Sequence, residues 1–235
     1  MSSRVSIEID NGVARITLDD GKVNALSAEF IAEIEDALDA AESAGALTVI
    51  KGRAGIFSAG FDLKTFKRGL EPGIAMVRAG AELVLRLLAF PRPVITACTG
   101  HAYPAGAFLM MAADVRLGVS GPWLIGMNEV AIGLTVPKFA IELARHRLAP
   151  QGFVKITTAA MFAPEEALHL GYLDRVVDPT LLDETVEAEI TRLRGLDIPS
   201  YVATKARVNE HAITATRAAI DDEMPSAVRG RAAAS

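Results

Sequence analysis

The strongest constraint on this chain is a rhythm of short apolar runs, each closed by a glycine-bearing turn and followed by helix-like periodicity. Val94-Ile95-Thr96-Ala97-Cys98 reads as a buried strand. A turn at Gly100–Gly106 follows, then a short apolar helix through Ala113, then a second strand at Asp114–Val119. Upstream, Leu47–Ile50 reads as a buried strand, and Gly52, Gly55 and Gly60 break up the next segment. An amphipathic helix over Ile74–Leu88 comes after it and is stopped by Pro91 and Pro93. Strand, turn, helix and strand in repetition predict an α/β domain with parallel strands and crossover helices.

The two ends are written differently. Val5–Ile9 and Val13–Leu18 alternate around Asp10-Asn11-Gly12, a hairpin signature because Asn-Gly accepts positive φ. Ser27 is placed to cap a helix running to about Ala44, with Phe30, Ile31, Ile34 and Leu38 on one face. From Pro137 onward the pattern is mainly helical. Helices are expected at 139–147, 150–158, 164–170, 181–193 and 200–212, with one extended piece at Leu173–Val177. Arg229–Ser235 is small and polar enough to fray.

The chain has 235 residues, 51% hydrophobic and 23% charged, ample for a globular core. With aromatics at 6%, that core is expected to be mainly Ala, Val, Ile, Leu and Met. The one cysteine, Cys98, excludes an internal disulfide, suits a reducing compartment and reads as an inert core thiol. Met1–Asp10 lacks the apolar block of a signal peptide, and no stretch approaches the ~18 apolar residues of a membrane span. A cytoplasmic protein with no membrane partner is the expectation. A net charge of −5 supplies no global field for nucleic acid. Lys22, Arg53, Lys64, Lys67 and Arg68 form either a local cationic patch or a solvated face.

Much familiar chemistry is absent. No G-x-G-x-x-G follows a strand and there is no P-loop. Four scattered histidines and one cysteine give no metal-ligand spacing. Ser58 lacks the first glycine of a nucleophile elbow. Two turns remain, Phe57-Ser58-Ala59-Gly60-Phe61-Asp62-Leu63 and Gly100-His101-Ala102-Tyr103-Pro104-Ala105-Gly106, each after a strand and each opening a helix. Free N–H groups at such starts bind anions, and two aimed at one point would make an oxyanion hole; ordinary helix starts look the same.

From Val5 to about Glu210 the sequence resembles the crotonase superfamily, the enoyl-CoA hydratase/isomerase family. The matching segments are Lys22-Val23-Asn24-Ala25-Leu26, Phe57 through Lys64, Pro93-Val94-Ile95 with the Gly100–Gly106 turn, Asp114, Gly126-Met127-Asn128-Glu129, and Ala163-Pro164-Glu165-Glu166-Ala167 through Gly171. The resemblance implies a ββα spiral core with the CoA thioester site over residues 1–180. It also implies a helical oligomerisation region over 181–235, shortened relative to relatives, in a homotrimer or dimer of trimers. The implied substrate is an acyl-CoA thioester of fatty acid metabolism, coenzyme A being part of the substrate and no separate cofactor or metal being needed. By position, the N–H groups of Phe61 and Ala105 are the implied oxyanion donors. Pro104 and Ala105 stand where the family usually has glycine, yet Ala105 keeps its N–H. Lys22, Ala25, Leu26, Ala59, Asp62, Leu63 and Lys64 are the implied substrate- and CoA-binding positions. Lys22 and Lys64 either meet CoA phosphates or stay solvated, and Asp62 is read as capping its loop.

Relatives that add water to an enoyl thioester use two glutamates, at the positions of Phe108 and Glu129. Phe108 carries no proton, so the resemblance points to the mitochondrial-type Δ3,Δ2-enoyl-CoA isomerase branch, with Glu129 as the single acid–base residue. Ile125, Met127, Val130 and Ile132 promise an apolar setting for it. Other crotonase-type reactions (hydration, thioester hydrolysis, dehalogenation) and acyl-CoA binding without turnover remain as alternatives. His101 and Tyr103 either touch substrate or serve structure, and Arg145-His146-Arg147 reads as a helix end favouring cations. The chain stops soon after Asp221-Asp222-Glu223, where relatives continue into another helix that helps cover CoA and the trimer contact.

Overall fold

The hairpin forms as its turn demands. In the computed structural model, which describes residues 3–224, β1 (Val5–Asp10) and β2 (Val13–Leu18) pair antiparallel with Ile7 opposite Ile16. Asn11 and Gly12 both take positive φ, 47° and 72°, the geometry of a two-residue turn matched to strand twist. Ser27 then caps α1 (Ala28–Ser43), its side chain accepting the Phe30 N–H at 3.2 Å. Phe30, Ile31, Ile34, Leu38 and Ala41 are buried along one stripe of that helix.

From there the chain advances in a repeating unit. A strand enters a large sheet, a second short strand enters a small one, and helix carries the chain back. β3 (Leu47–Gly52) and β4 (Gly55–Ser58) are followed by α2 (Leu63–Phe66) and α3 (Leu70–Ala89). β5 (Val94–Cys98) and β6 (Gly100–Ala102) are followed by α4 (Ala105–Ala112). β7 (Val115–Val119) and β8 (Ile125–Gly126) precede α5 (Lys138–Arg147). After α6 (Pro150–Val154) come β9 (Met161–Phe162), α7 (Pro164–Leu170), β10 (Arg175–Val177), α8 (Leu182–Arg194) and α9 (Ile198–Glu223). The large sheet runs β1-β2-β3-β5-β7-β10 and the small one β4-β6-β8-β9. Apart from the β1 hairpin, the large-sheet pairs are parallel. This is an α/β ββα spiral with a helical C-terminal region.

Burial follows from the alternation of strand side chains. On one face of the large sheet, Val49, Ile95, Ala97 and Leu117 pack under α8 through Leu182, Val186, Ile190 and Leu193. The other face supplies Ile16, Leu18, Ile50, Val94 and Cys98 to the main core beneath the remaining helices. Cys98 is an inert core thiol, its pKa pushed up to about 12 by burial. Aromatics carry more of the core than composition predicts: Phe30, Phe57, Phe90, Phe108, Phe139, Phe162 and Tyr172 are all buried.

Several boundaries differ from expectation. The segment after Gly52 and the turn from Gly100 hold β4 and β6, strands too short to show alternation. Helix α3 begins at Leu70 rather than Ile74, and the predicted helix over 150–158 is α6 plus a 3₁₀ segment, Lys155–Thr158. Helix α9 runs on to Glu223, well past Ala212. The predicted fraying of Arg229–Ser235 lies outside the described residues.

The run Arg145-His146-Arg147 is more than a charged helix end. Arg147 donates to the carbonyls of Met111 and Ala113 at 2.7 and 3.0 Å, tying α5 to the end of α4, and His146 meets Asn209 of α9 at 3.0 Å. Burial, the largest cause, and the neighbouring Arg147 lower the His146 pKa.

Candidate active site

Parallel pairing of β4 with β6 sets Ser58 opposite Ala102. Phe61 and Ala105 lie three residues beyond these partners, at equivalent places in the two outgoing loops. The loops touch backbone to backbone. The Tyr103 N–H donates to the Ser58 carbonyl at 3.0 Å. Gly60 has φ +92° and sits so close that a Cβ there would lie 2.7 Å from the Tyr103 carbonyl; one on Gly106 would lie 2.5 Å from that of Ser58.

Both candidate donors are left free. Phe61 bridges Leu26 in parallel fashion: Leu26 donates to the Gly60 carbonyl (2.8 Å) and accepts from the Asp62 N–H (3.1 Å), which leaves the Phe61 N–H turned away from the pair. Ala105 opens α4, where the first N–H groups have no intrahelical acceptor. Neither N–H donates to any acceptor among the described residues.

The Lys22–Leu26 segment is bolted underneath. Asn24 is fully buried with φ 51°, and its amide donates to the Leu18 and Phe57 carbonyls at 2.8 and 3.1 Å. Ser58 Oγ donates to the Asn24 carbonyl at 2.7 Å. Asp62 does cap its loop, its carboxylate accepting from the Lys64 N–H at 3.1 Å and the Thr65 hydroxyl at 3.0 Å. His101 serves structure, with Nδ1 accepting the Leu124 N–H at 2.9 Å.

Next to these loops is a cavity of about 340 Å³, walled chiefly by Phe61, Leu63, Phe66, Ile74, Val77 and Phe108, with Glu129 on its surface. Glu129 follows β8, and its carbonyl accepts from the N–H groups of Ile132 and Leu134, which fixes the turn that carries it. The residue is 4% exposed. Neither carboxylate oxygen has a hydrogen-bond partner. Burial therefore pushes its pKa up to about 7. The Asn128 side-chain oxygen beside it is likewise buried without a partner.

Ile125 and Met127 bury below Glu129 as expected. Val130 and Ile132 are about half exposed instead, because they lie on a short 3₁₀ turn facing outward, although Ile132 still borders the cavity. Phe108 fills its side of the site with ring contacts to Phe61 (6.4 Å) and Phe139 (5.5 Å) and leaves no carboxylate there.

Of the candidate site positions singled out in the sequence, Ala59, Phe61, Leu63, Tyr103 and Glu129 come together on the cavity, whereas Ala105 is buried and does not line it, although its neighbour Pro104 does. Lys22, Ala25, Leu26, Asp62 and Lys64 do not line it. Lys22 and Lys64 are exposed, and Leu26 is a buried strut. Sequence reasoning missed Glu223 and Met224, which reach the cavity from the end of α9. No local motif links them to residues so distant in the chain. Among the described residues, no cluster of three or more His, Cys, Asp or Glu side chains is arranged to hold a metal, and no helix is long and apolar enough to cross a membrane.

The comparisons with known proteins place the fold in a family. Residues 8–226 match the family model for enoyl-CoA hydratase/isomerase. A probable enoyl-CoA hydratase of Bacillus subtilis is 32% identical over 71% of this chain and 66% of its own length. Human mitochondrial enoyl-CoA delta isomerase 1 is 29% identical over 89% of this chain and 72% of its own. The crystal structure of an enoyl-CoA hydratase/isomerase family protein from Pseudomonas syringae superposes with a TM-score of 0.92 at 41% identity, covering 94% of this chain and 96% of that one. The family match over most of the chain and the likeness of fold establish that this chain belongs to the enoyl-CoA hydratase/isomerase family.

Proposed function

We propose that the protein shifts the double bond of a 3-enoyl-CoA to the 2-trans position, with Glu129 as its only acid–base group. The observation that carries this reading is the Glu129 carboxyl itself, buried and unpartnered on an apolar cavity, with Phe108 where a second carboxylate would stand. Glu129 takes a proton from C2, the electrons move through the former 3,4 double bond, and the same carboxyl returns the proton to C4. A pKa near neutrality suits a group that must do both. The dienolate oxygen takes the N–H groups of Phe61 and Ala105, and losing one such donor costs about 3 kcal/mol in comparable sites. The step is redox-neutral and consumes no water.

Within this reading the CoA moiety passes Ala59 and Leu63, along the loops that hold Ala25, Leu26 and Asp62, with Lys22 and Lys64 as exposed cations for its phosphates. A homotrimer or dimer of trimers and a need for no metal or redox cofactor belong to the same proposal. The test follows conjugated-product absorbance with 3-enoyl-CoA substrates in wild type and Glu129→Gln. Turnover that falls at least about 100-fold in the folded variant supports the one-base isomerase; no wild-type turnover with short or long chains overturns it.

Water addition is a second reading, favoured by the unpartnered Asn128 oxygen, an acceptor on the same cavity as Glu129. Formation of 3-hydroxyacyl-CoA from 2-enoyl-CoA, lost in Asn128→Ala, is its signature.

A further inference from the structure

One stretch of the cavity wall comes from the far end of the chain. Met224 is the C-cap of α9, only 4% exposed, and lines the cavity with Glu223. Its place is held from two sides. Arg78 of α3 donates to the Met224 carbonyl and pairs with Asp221 at 3.2 Å. The Lys138 N–H, at the start of α5, donates to Glu223 at 2.8 Å, while its ammonium pairs with Asp222. Helices α3 and α5 thus pin the last turn of α9, and the residues that flank these anchors, Val77 on α3 and Pro137 before α5, share the cavity with Met224. The helix is fixed upstream as well, by Lys205 on Asp114 and Asn209 on the Leu88 carbonyl, both at 2.8 Å.

From this geometry we infer that Met224 is a specificity-determining residue, the side chain that sets how long an acyl tail the cavity takes. Resting on the acyl-CoA reading above, the inference concerns the tail and not the reacting carbons. A methionine fits such a wall: it is unbranched, apolar and fills irregular space by changing rotamer. Shortening it opens volume where the tail runs, and a larger ring removes that volume. Arg78 is a positioning residue, acting through the carbonyl it holds.

Calorimetric binding of saturated acyl-CoAs, an even series from butanoyl to hexadecanoyl, tests this without requiring turnover. Affinity is expected to rise about fourfold per methylene accommodated and then level off. Met224→Ala moves the break about two methylenes longer and Met224→Trp about two shorter. Arg78→Met blurs the break and provides a second route to the answer if a Met224 variant folds poorly. A break at the same chain length in wild type and all folded variants overturns the inference alone. Absence of binding by any acyl-CoA to wild type removes the acyl-CoA reading, and the inference falls with it.

Discussion

Glu129 bears the cost of its own usefulness. A carboxyl whose pKa rises from 4.5 to about 7 on folding holds its proton more tightly in the folded state than in the unfolded one. Its contribution to stability is therefore greatest below pH 4.5 and is lost as pH rises through 7, by at most roughly 3 kcal/mol. Glu129→Gln should raise the melting temperature at pH 8 relative to wild type and do little at pH 4, in thermal scans at both. Under the isomerase reading kcat/KM should climb with pH and level off above about 7, since only the ionised base can take the C2 proton. A flat profile from pH 5 to 9 would remove Glu129 from that role.

Among the elements, the β4 and β6 loops leave no room for an added methyl at Gly60 or Gly106. Gly60→Ala would force a methyl into Pro104 and the Tyr103 carbonyl at a φ of +92°, pushing the loops apart. We expect activity to fall by at least about tenfold, with a stability loss of roughly 1–3 kcal/mol by urea denaturation. Here the sequence was only partly legible. The long elements with caps and full periodicity (the Asn11-Gly12 hairpin, the Ser27-capped α1, the Val94–Cys98 strand) lie where their chemistry predicts. The small sheet escaped, because strands of two to four residues show no alternation. Its register sets Ser58 opposite Ala102, three residues before Phe61 and Ala105, so residue pattern alone located the turns but not their meeting. The contribution of Met224 was illegible for a related reason. It depends on where a long helix happens to end against α3 and α5.

At the scale of the whole molecule, α9 is held by a buried ion pair. Lys205 is 7% exposed, and its ammonium shares the Asp114 carboxylate with the Tyr201 hydroxyl, each at 2.8 Å. Removing the ammonium leaves the partly buried Asp114 carboxylate hydrogen-bonded, among the described residues, only to the Tyr201 hydroxyl and the Val94 N–H, so Lys205→Ala should cost up to roughly 3 kcal/mol by urea denaturation. If the α9 wall matters for the tail, that variant should also lose discrimination between long and short chains. The same layout orders events in time. The chain's only tryptophan, Trp123, packs on His101 at 5.7 Å and so reports on the β6–β8 region, whereas the cavity is complete only when α9 docks across α3 and α5. Contacts between segments so distant in sequence form slowly. In refolding from denaturant, tryptophan fluorescence should recover ahead of acyl-CoA binding, and the interval between them is the lifetime of a spiral that has its paired β4 and β6 loops and still has no closed cavity.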